Sequence, residues 1–172
     1  MTDLPEKRKK LMFVAGITAI AIGLGTLSVM GAGKIKRAVH RSKLMKTSTV
    51  IQIPDIDIKA PVLEGTEQSV LSEGAGHFKG TGDIGKGNYC VAGHSSTIYK
   101  EYFNNLKKAE KGMKIYLFRP DKTGATYTVT DSFIVNPDET WILDDFGDCR
   151  ITIVTCTDDG SQRLVVTGTL NE

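Results

Sequence analysis

Cysteine is scarce in this chain, with three in 172 residues. An odd count allows at most one intramolecular disulfide and leaves at least one thiol free. A framework of several disulfides is therefore excluded. Tryptophan occurs once, at position 141, and proline only five times. There is no internal repeat and no low-complexity stretch, so neither a solenoid nor a disordered tract is indicated. Charge is missing altogether from Leu11 to Gly33, which is mostly Ala, Gly, Ile, Leu, Val and Met.

That uncharged run is the first thing present. A bilayer core needs about 20 apolar residues in a helix, and the run is longer than the usual h-region of about 7–15 residues in a cleaved signal peptide. An uncleaved transmembrane signal-anchor over 11–33 is expected, after a basic tail over 1–10 and before a basic juxtamembrane linker over 34–48. Acidic charge is nearly absent here as well. Residues 1–48 hold ten Lys and Arg against Asp3 and Glu6, a net +8, whereas 49–172 hold twelve against eighteen Asp and Glu, a net −6. A mildly acidic globular part argues against nucleic acid as its partner, and the basic tail suits anionic membrane lipid. Both flanks of the run are basic, and the Lys/Arg bias alone favours an outside N-terminus.

From Thr49 onward the pattern is β. Val50–Pro54 and Ile56–Val62 read as two strands, with Pro54 and Pro61 at edges or strand ends. Ser69–Glu73 suits one helical turn, and six glycines between Gly74 and Gly87 suit a loop-rich passage. Asn88–Ala92 reads as a compact strand and Ile98–Ala109 has helical spacing. Met113–Phe118 and Ala125–Val135 read as longer strands around a Pro120–Gly124 turn. Asn136–Asp148 is a long acidic loop holding Trp141, and long loops in compact domains usually carry function. Ile151–Cys156 and Arg163–Leu170 form a strand pair around an Asp-Gly turn. About eight short strands with one or two small helices predict a mainly β domain, a closed eight-stranded barrel over 49–172.

The last strand pair carries the chemistry. It sets a thiol, Cys156, and a guanidinium, Arg163, at neighbouring strand ends, and His94 upstream supplies a base. A thiolate makes a thioester that an amine can attack, and a His can exchange the proton. Arg163 is always charged and offers several donors for an oxyanion or a substrate backbone. A lone strand cysteine is ordinarily a small buried hydrophobe, which is the reading for Cys90 and Cys149. Arg163 has an ordinary alternative too, an ion pair with Asp158 or Asp159. His40 has no evident partner, and His77, in the glycine-rich passage, suits a surface role.

The motifs resemble those of the sortases, cell-wall cysteine transpeptidases of Gram-positive bacteria. The family's Thr-Leu-x-Thr-Cys strand is matched by Thr152-Ile153-Val154-Thr155-Cys156, with Ile for Leu. Its Ala-Gly-His is matched by Ala92-Gly93-His94, and its arginine on the next strand by Arg163 in Arg163-Leu164-Val165-Val166-Thr167. Ile53-Pro54 and Ile56–Val62 resemble the family's first two strands. The resemblance runs from about residue 49 to the C-terminus. It implies a sortase-type barrel with His94, Cys156 and Arg163 catalytic, and Thr155 and Trp141 as candidate substrate contacts (plugging the barrel is the other reading of Trp141). Against the charge bias, it also implies the catalytic domain outside the cell on a single-pass anchor, with residues 1–10 as its cytoplasmic tail. The implied substrates are proteins with an LPxTG-like (Leu-Pro-x-Thr-Gly-like) sorting signal, cut between Thr and Gly and passed to a cell-wall precursor or other amine.

The departures narrow this. Some class A sortases bind calcium through acidic residues before the Gly-His strand, but His77–Asn88 holds only Asp83, opposed by Lys79 and Lys86. No metal and no cofactor are expected. Neither an Asp-Pro-aromatic lid motif nor a second, C-terminal apolar run is found, which leaves class A and class D open. An anchored β-barrel binding module with a structural or redox cysteine is the alternative from a different class.

Overall fold

The computed structural model describes residues 6, 12–13, 15–19, 38–96 and 101–171. The chain divides into two compact units, Met1–Lys43 and Leu44–Glu172. In the first, the described residues are helical. The run expected as a signal-anchor lies for the most part outside the described residues, among which no helix is long and apolar enough to cross a membrane.

The second unit opens on the end of a helix over 38–47 and continues as eight strands. They are β1 (Thr49–Ile53), β2 (Ile58–Glu64), β3 (Ala75–His77), β4 (Asn88–Ala92), β5 (Lys114–Phe118), β6 (Gly124–Val135), β7 (Arg150–Cys156) and β8 (Arg163–Leu170). They close into a barrel in the order β1-β2-β3-β4-β7-β8-β6-β5. Closure removes the unpaired edges that an open sheet would present. Among the described residues, one α-helical turn, Gln68–Leu71, and three 3-10 turns complete the unit.

Pro54 ends β1, since it lacks the N–H a ladder needs. It opens a 3-10 turn, Pro54–Ile56, closed by Asp57 in the left-handed region at φ 55. Ala75–His77, within the expected loop-rich passage, forms β3, because it pairs on both sides, parallel to β2 and antiparallel to β4. The helical spacing at Ile98–Ala109 is not realised in the described part. There the chain turns, and only Leu106–Lys108 is a 3-10 helix. Phe103 and Leu106 are buried from these turns instead.

Alternation fills the barrel. Ile51, Ile53, Val91, Leu117, Tyr127, Ile151, Ile153 and Val166 meet in its core. β7 is buried on both faces, which its run of β-branched residues suits. Its other face packs into a second cluster, with Val154 and Val165 against Val135 and Ile142. That cluster is roofed by the β6–β7 connection, and the tie is Asn88. Its amide donates to the carbonyls of Ile142 (3.0 Å) and Asp144 (2.9 Å) and accepts the Thr152 hydroxyl at 2.7 Å.

Candidate active site

The site is built by the register of one strand against two neighbours. β4 and β7 are parallel, with Ala92 opposite Val154. Gly93 extends the ladder, its N–H donating to the Val154 carbonyl at 3.1 Å. The register offset, 154 − 92 = 62, equals 156 − 94, so His94 and Cys156 are the next residues in line. Adjacent strands lie about 4.8 Å apart. Two side-chain hydroxyls fasten these ends. Thr155 donates to the Gly93 carbonyl at 2.8 Å, and Ser95 donates to the Cys156 carbonyl at 2.7 Å.

On the other side β7 and β8 are antiparallel, with Cys156 directly opposite Arg163. Just beyond, the Thr157 N–H donates to the Gln162 carbonyl at 3.1 Å. Hydrogen-bonded and non-bonded pairs alternate in such a ladder, so Cys156 and Arg163 form a non-bonded pair, the kind whose side chains stand closer.

The face follows from alternation. Ile153 and Val166 point into the barrel core, while Val154 and Val165 belong to the outer cluster. Cys156, two past Val154, and Arg163, two before Val165, therefore share the outer side at the strand ends. Tyr89 and Val91 lie in the core, so the same alternation carried past Ala92 sets His94 on that side too.

Gly93 keeps the turn into His94 tight. A Cβ there would lie 2.5 Å from the Phe103 ring. Phe103 in turn donates its N–H to the His94 carbonyl at 3.2 Å. The Nε2 of His94 is enclosed and has no hydrogen-bond partner among the described residues. Buried polar atoms are nearly always paired, so an orphan of this kind calls for a reason.

Cys156 and Cys149 are partly exposed, Cys90 is buried, and all three are free, so no disulfide forms. Cys156 lies on a cleft of about 230 Å³, lined also by Ser95, Phe103, Ile134, Thr155 and Leu164. Cys90 is buried, and that burial pushes its thiol up to about 12.

Arg163 turns back over the β7–β8 connection. Its Nη1 donates to the carbonyls of Gln162 (3.0 Å) and Gly160 (3.4 Å). The aspartates that could have paired with it are engaged elsewhere. Asp158 meets Lys107 at 2.7 Å. Asp159 accepts from the hydroxyls of Thr157 (2.6 Å) and Ser161 (2.7 Å). These contacts, Thr157 first, hold its carboxyl down at about 2.

The two expected substrate contacts separate. Thr155 lines the cleft, but it is 4% exposed and its hydroxyl is spent on Gly93. Trp141 does not line that cleft. It is 46% exposed, stacks on Phe133 with centroids 5.9 Å apart, and lines a separate hollow with Phe146 and Arg150. Ser95 was not anticipated from the sequence. A serine after a histidine carries no signal of its own, and its partner is set by a parallel pairing between strands far apart in the chain.

No group of metal-ligating side chains occurs among the described residues. Asp83, the lone carboxylate of the passage before β4, is bound by Arg119 at 2.9 Å and by the Ile84 N–H at 2.7 Å.

A family model of the sortase domain matches residues 51–171. The chain is 36% identical over 122 residues to sortase A of Bacillus anthracis, covering 70% of this chain and 58% of that protein. It is 37% identical over 123 residues to sortase A of Streptococcus agalactiae, covering 67% and 49%. The chain thus spans about half of the length of the curated relatives it matches. The crystal structure of Listeria monocytogenes sortase A superposes with a TM-score of 0.68 at 32% identity, over 74% of this chain and 88% of that one. The matched span contains β4, β7 and β8 with His94, Cys156 and Arg163, and on fold and sequence together the chain belongs to the sortase family.

Proposed function

We propose that the chain is a membrane-anchored cysteine transpeptidase. It cleaves an LPxTG-like sorting signal between Thr and Gly and joins the Thr carbonyl to a cell-wall amine. The observation that carries this reading is the register around β7, with His94 next in line on one side and Arg163 opposite on the other.

The Cys156 thiol gives its proton to His94, and the sulfur attacks the Thr carbonyl carbon. The C–N bond to Gly breaks as His94 returns a proton to the departing amine. A thioester on Cys156 remains. An incoming amine attacks it, His94 accepts the amine's proton and passes it to the sulfur as the C–S bond breaks, and the thiol is restored. Arg163 stabilises the negative oxygen of each tetrahedral intermediate or holds the substrate backbone. The unpartnered Nε2 of His94 suits this role, because it is left for substrate and thiol rather than spent on the fold. In this reading the catalytic domain lies outside the cell, with residues 11–33 as its anchor.

The test is peptide turnover by the purified protein on a Leu-Pro-x-Thr-Gly library with an added amine, read by mass spectrometry. Cys156→Ala is expected to abolish cleavage and the thioester adduct, with Cys90→Ala and Cys149→Ala keeping most of it. Substantial turnover by Cys156→Ala would refute the reading. No cleavage of any library member, with Cys156 still reactive, would favour a binding module with a redox cysteine.

A further inference from the structure

One face of the barrel has a chemistry that the proposed reaction does not use. Across β2, β1 and β5 the register aligns Lys59 with Gln52 and Gln52 with Tyr116, and Pro61 with Val50 and Val50 with Phe118. Phe118 is 39% exposed and stacks on Tyr116, their centroids 6.0 Å apart. Beside it a groove of about 470 Å³ is lined by Lys46, Lys59 and Lys122, with Arg119, Phe118 and Val50. No acidic side chain among the described residues lines it. Arg119 pairs with Asp83, but Lys46, Lys59 and Lys122 form no ion pair among the described residues. The nearest carboxylate in sequence, Asp121, is taken up by its own turn, accepting from the Thr123 hydroxyl and N–H.

Three unpaired ammonium groups around an exposed aromatic ring are the chemistry of a membrane interface. Lysine reaches anionic headgroups, and aromatic rings settle at headgroup depth. This patch opposes the charge of the barrel that carries it, since residues 49–172 are net −6. Chain reach permits the contact. Lys46 is thirteen residues past Gly33, where the apolar run ends; nine of them, 38–46, are helical, so the thirteen span at most about 28 Å.

We infer that the β2–β1–β5 face docks on an anionic phospholipid surface. The barrel order gives this a consequence. β1 is four strands from β7 in either direction round the barrel. With the lysine face on lipid, the strand bearing Cys156 is on the far side, turned away from the membrane. The cellular setting rests on the membrane-anchored reading, but the surface itself is testable without it.

Residues 44–172 hold the whole closed barrel and both apolar clusters, so this unit is the one to test. It is mixed with vesicles of phosphatidylglycerol or of phosphatidylcholine and sedimented. Binding to phosphatidylglycerol is expected at least about tenfold tighter than to phosphatidylcholine, and it is expected to be lost near 0.5 M salt, where exposed charges are screened. Changing Lys46, Lys59 and Lys122 together to Glu should abolish it. The same change at Lys86, Lys108 and Lys111 alters net charge equally and should leave most of it. Orientation is read by quenching with brominated lipid. A tryptophan in place of Phe118, in a Trp141→Phe background, should be quenched, and the native Trp141 should not. Equal loss in both triple variants, equal binding to both lipids, or quenching of Trp141 alone would each overturn the inference. Circular dichroism melts confirm that all variants are folded before comparison, and peptide turnover, measured separately, reports on the proposed reaction.

Discussion

The hydroxyl of Ser95 donates to the carbonyl of Cys156 at 2.7 Å, across the ends of two parallel strands. One residue earlier on each strand, Thr155 reaches back to Gly93 at 2.8 Å. Past the Gly93–Val154 rung, hydroxyls thus take over the ties between the strands. They hold the backbone beneath His94 and Cys156, the two residues proposed to exchange a proton.

Ser95→Ala removes one of these ties without touching either side chain of the pair. A single neutral hydrogen bond contributes about 1 kcal/mol to stability, so the barrel should stay folded with a slightly lower thermal midpoint. Small misplacements of reacting groups cost up to about 100-fold in rate. We expect kcat to fall about tenfold with KM little changed, and Ser95→Thr, which keeps the hydroxyl, to recover most of it. Wild-type kcat in Ser95→Ala would remove Ser95 from any positioning role.

The buried thiol of Cys90 should stand apart from the other two. Burial lifts Cys90 to about 12, so an alkylating reagent at about pH 8 should add to Cys156 and Cys149 but leave Cys90 intact. The same shift affects folding. An unfolded cysteine ionises near about 8.5. Between there and about 12 the unfolded chain has released a proton that the folded chain still holds. Stability therefore falls as pH rises through that window, and below it the thiol contributes nothing to the pH dependence. Burial also raises Tyr89 and Tyr127, so the loss deepens further into alkali. The drop in thermal midpoint between about pH 8 and pH 10.5 should be smaller in Cys90→Ala than in the parent. A parent midpoint that does not change over that range would contradict this account.

Seven of the eight strands were legible because each carries local period-two patterning or a β-branched run, and the Asp-Gly turn between β7 and β8 was legible as turn chemistry. β3 was not. Ala-Gly-His has little β propensity, and only pairing with β2 and β4 makes Ala75–His77 a strand. The spacing at Ile98–Ala109 misled for a related reason. Phe103 and Leu106 repeat as a helix face would, yet Phe103 packs over Gly93 from a turn, where the absent Cβ leaves it room. Of the site, Cys156 and Arg163 were readable as neighbours from the turn between them. His94 could be joined to them only through the family resemblance, because the parallel pairing of β4 with β7 leaves no local trace. Trp141, in a long loop, was a candidate substrate contact, with plugging the barrel as the other reading. Asn88 and Cys90 lie beneath that loop, and Asn88 holds it over the outer cluster, away from the cleft at Cys156.

Arg163 offers the sharpest test of geometry against charge. Two aspartates in the preceding turn made a surface ion pair the simple expectation. In the structure Asp158 is held by Lys107, and Asp159 is consumed by hydroxyls and the Ser161 N–H of its own turn. The guanidinium instead donates through Nη1 to the carbonyls of Gln162 and Gly160. That contact steadies one end of a planar fork next to the strand end that faces Cys156. Lysine keeps the positive charge but is a point donor on a flexible stem. If charge alone mattered, Arg163→Lys would be nearly silent, since exposed pairs contribute about 0–1 kcal/mol. If directed donors meet the oxyanion or the substrate backbone, the fork is the essential feature, and losing one such donor costs on the order of 100–1,000-fold. We expect Arg163→Lys to lose at least about tenfold in turnover, with its thermal midpoint within a few degrees of the parent. Peptide cleavage and thermal melts on one preparation separate the cases. Near-parental cleavage by the lysine variant would rule out a catalytic role, and a collapse of the midpoint would assign Arg163 to the fold of the β7–β8 turn instead.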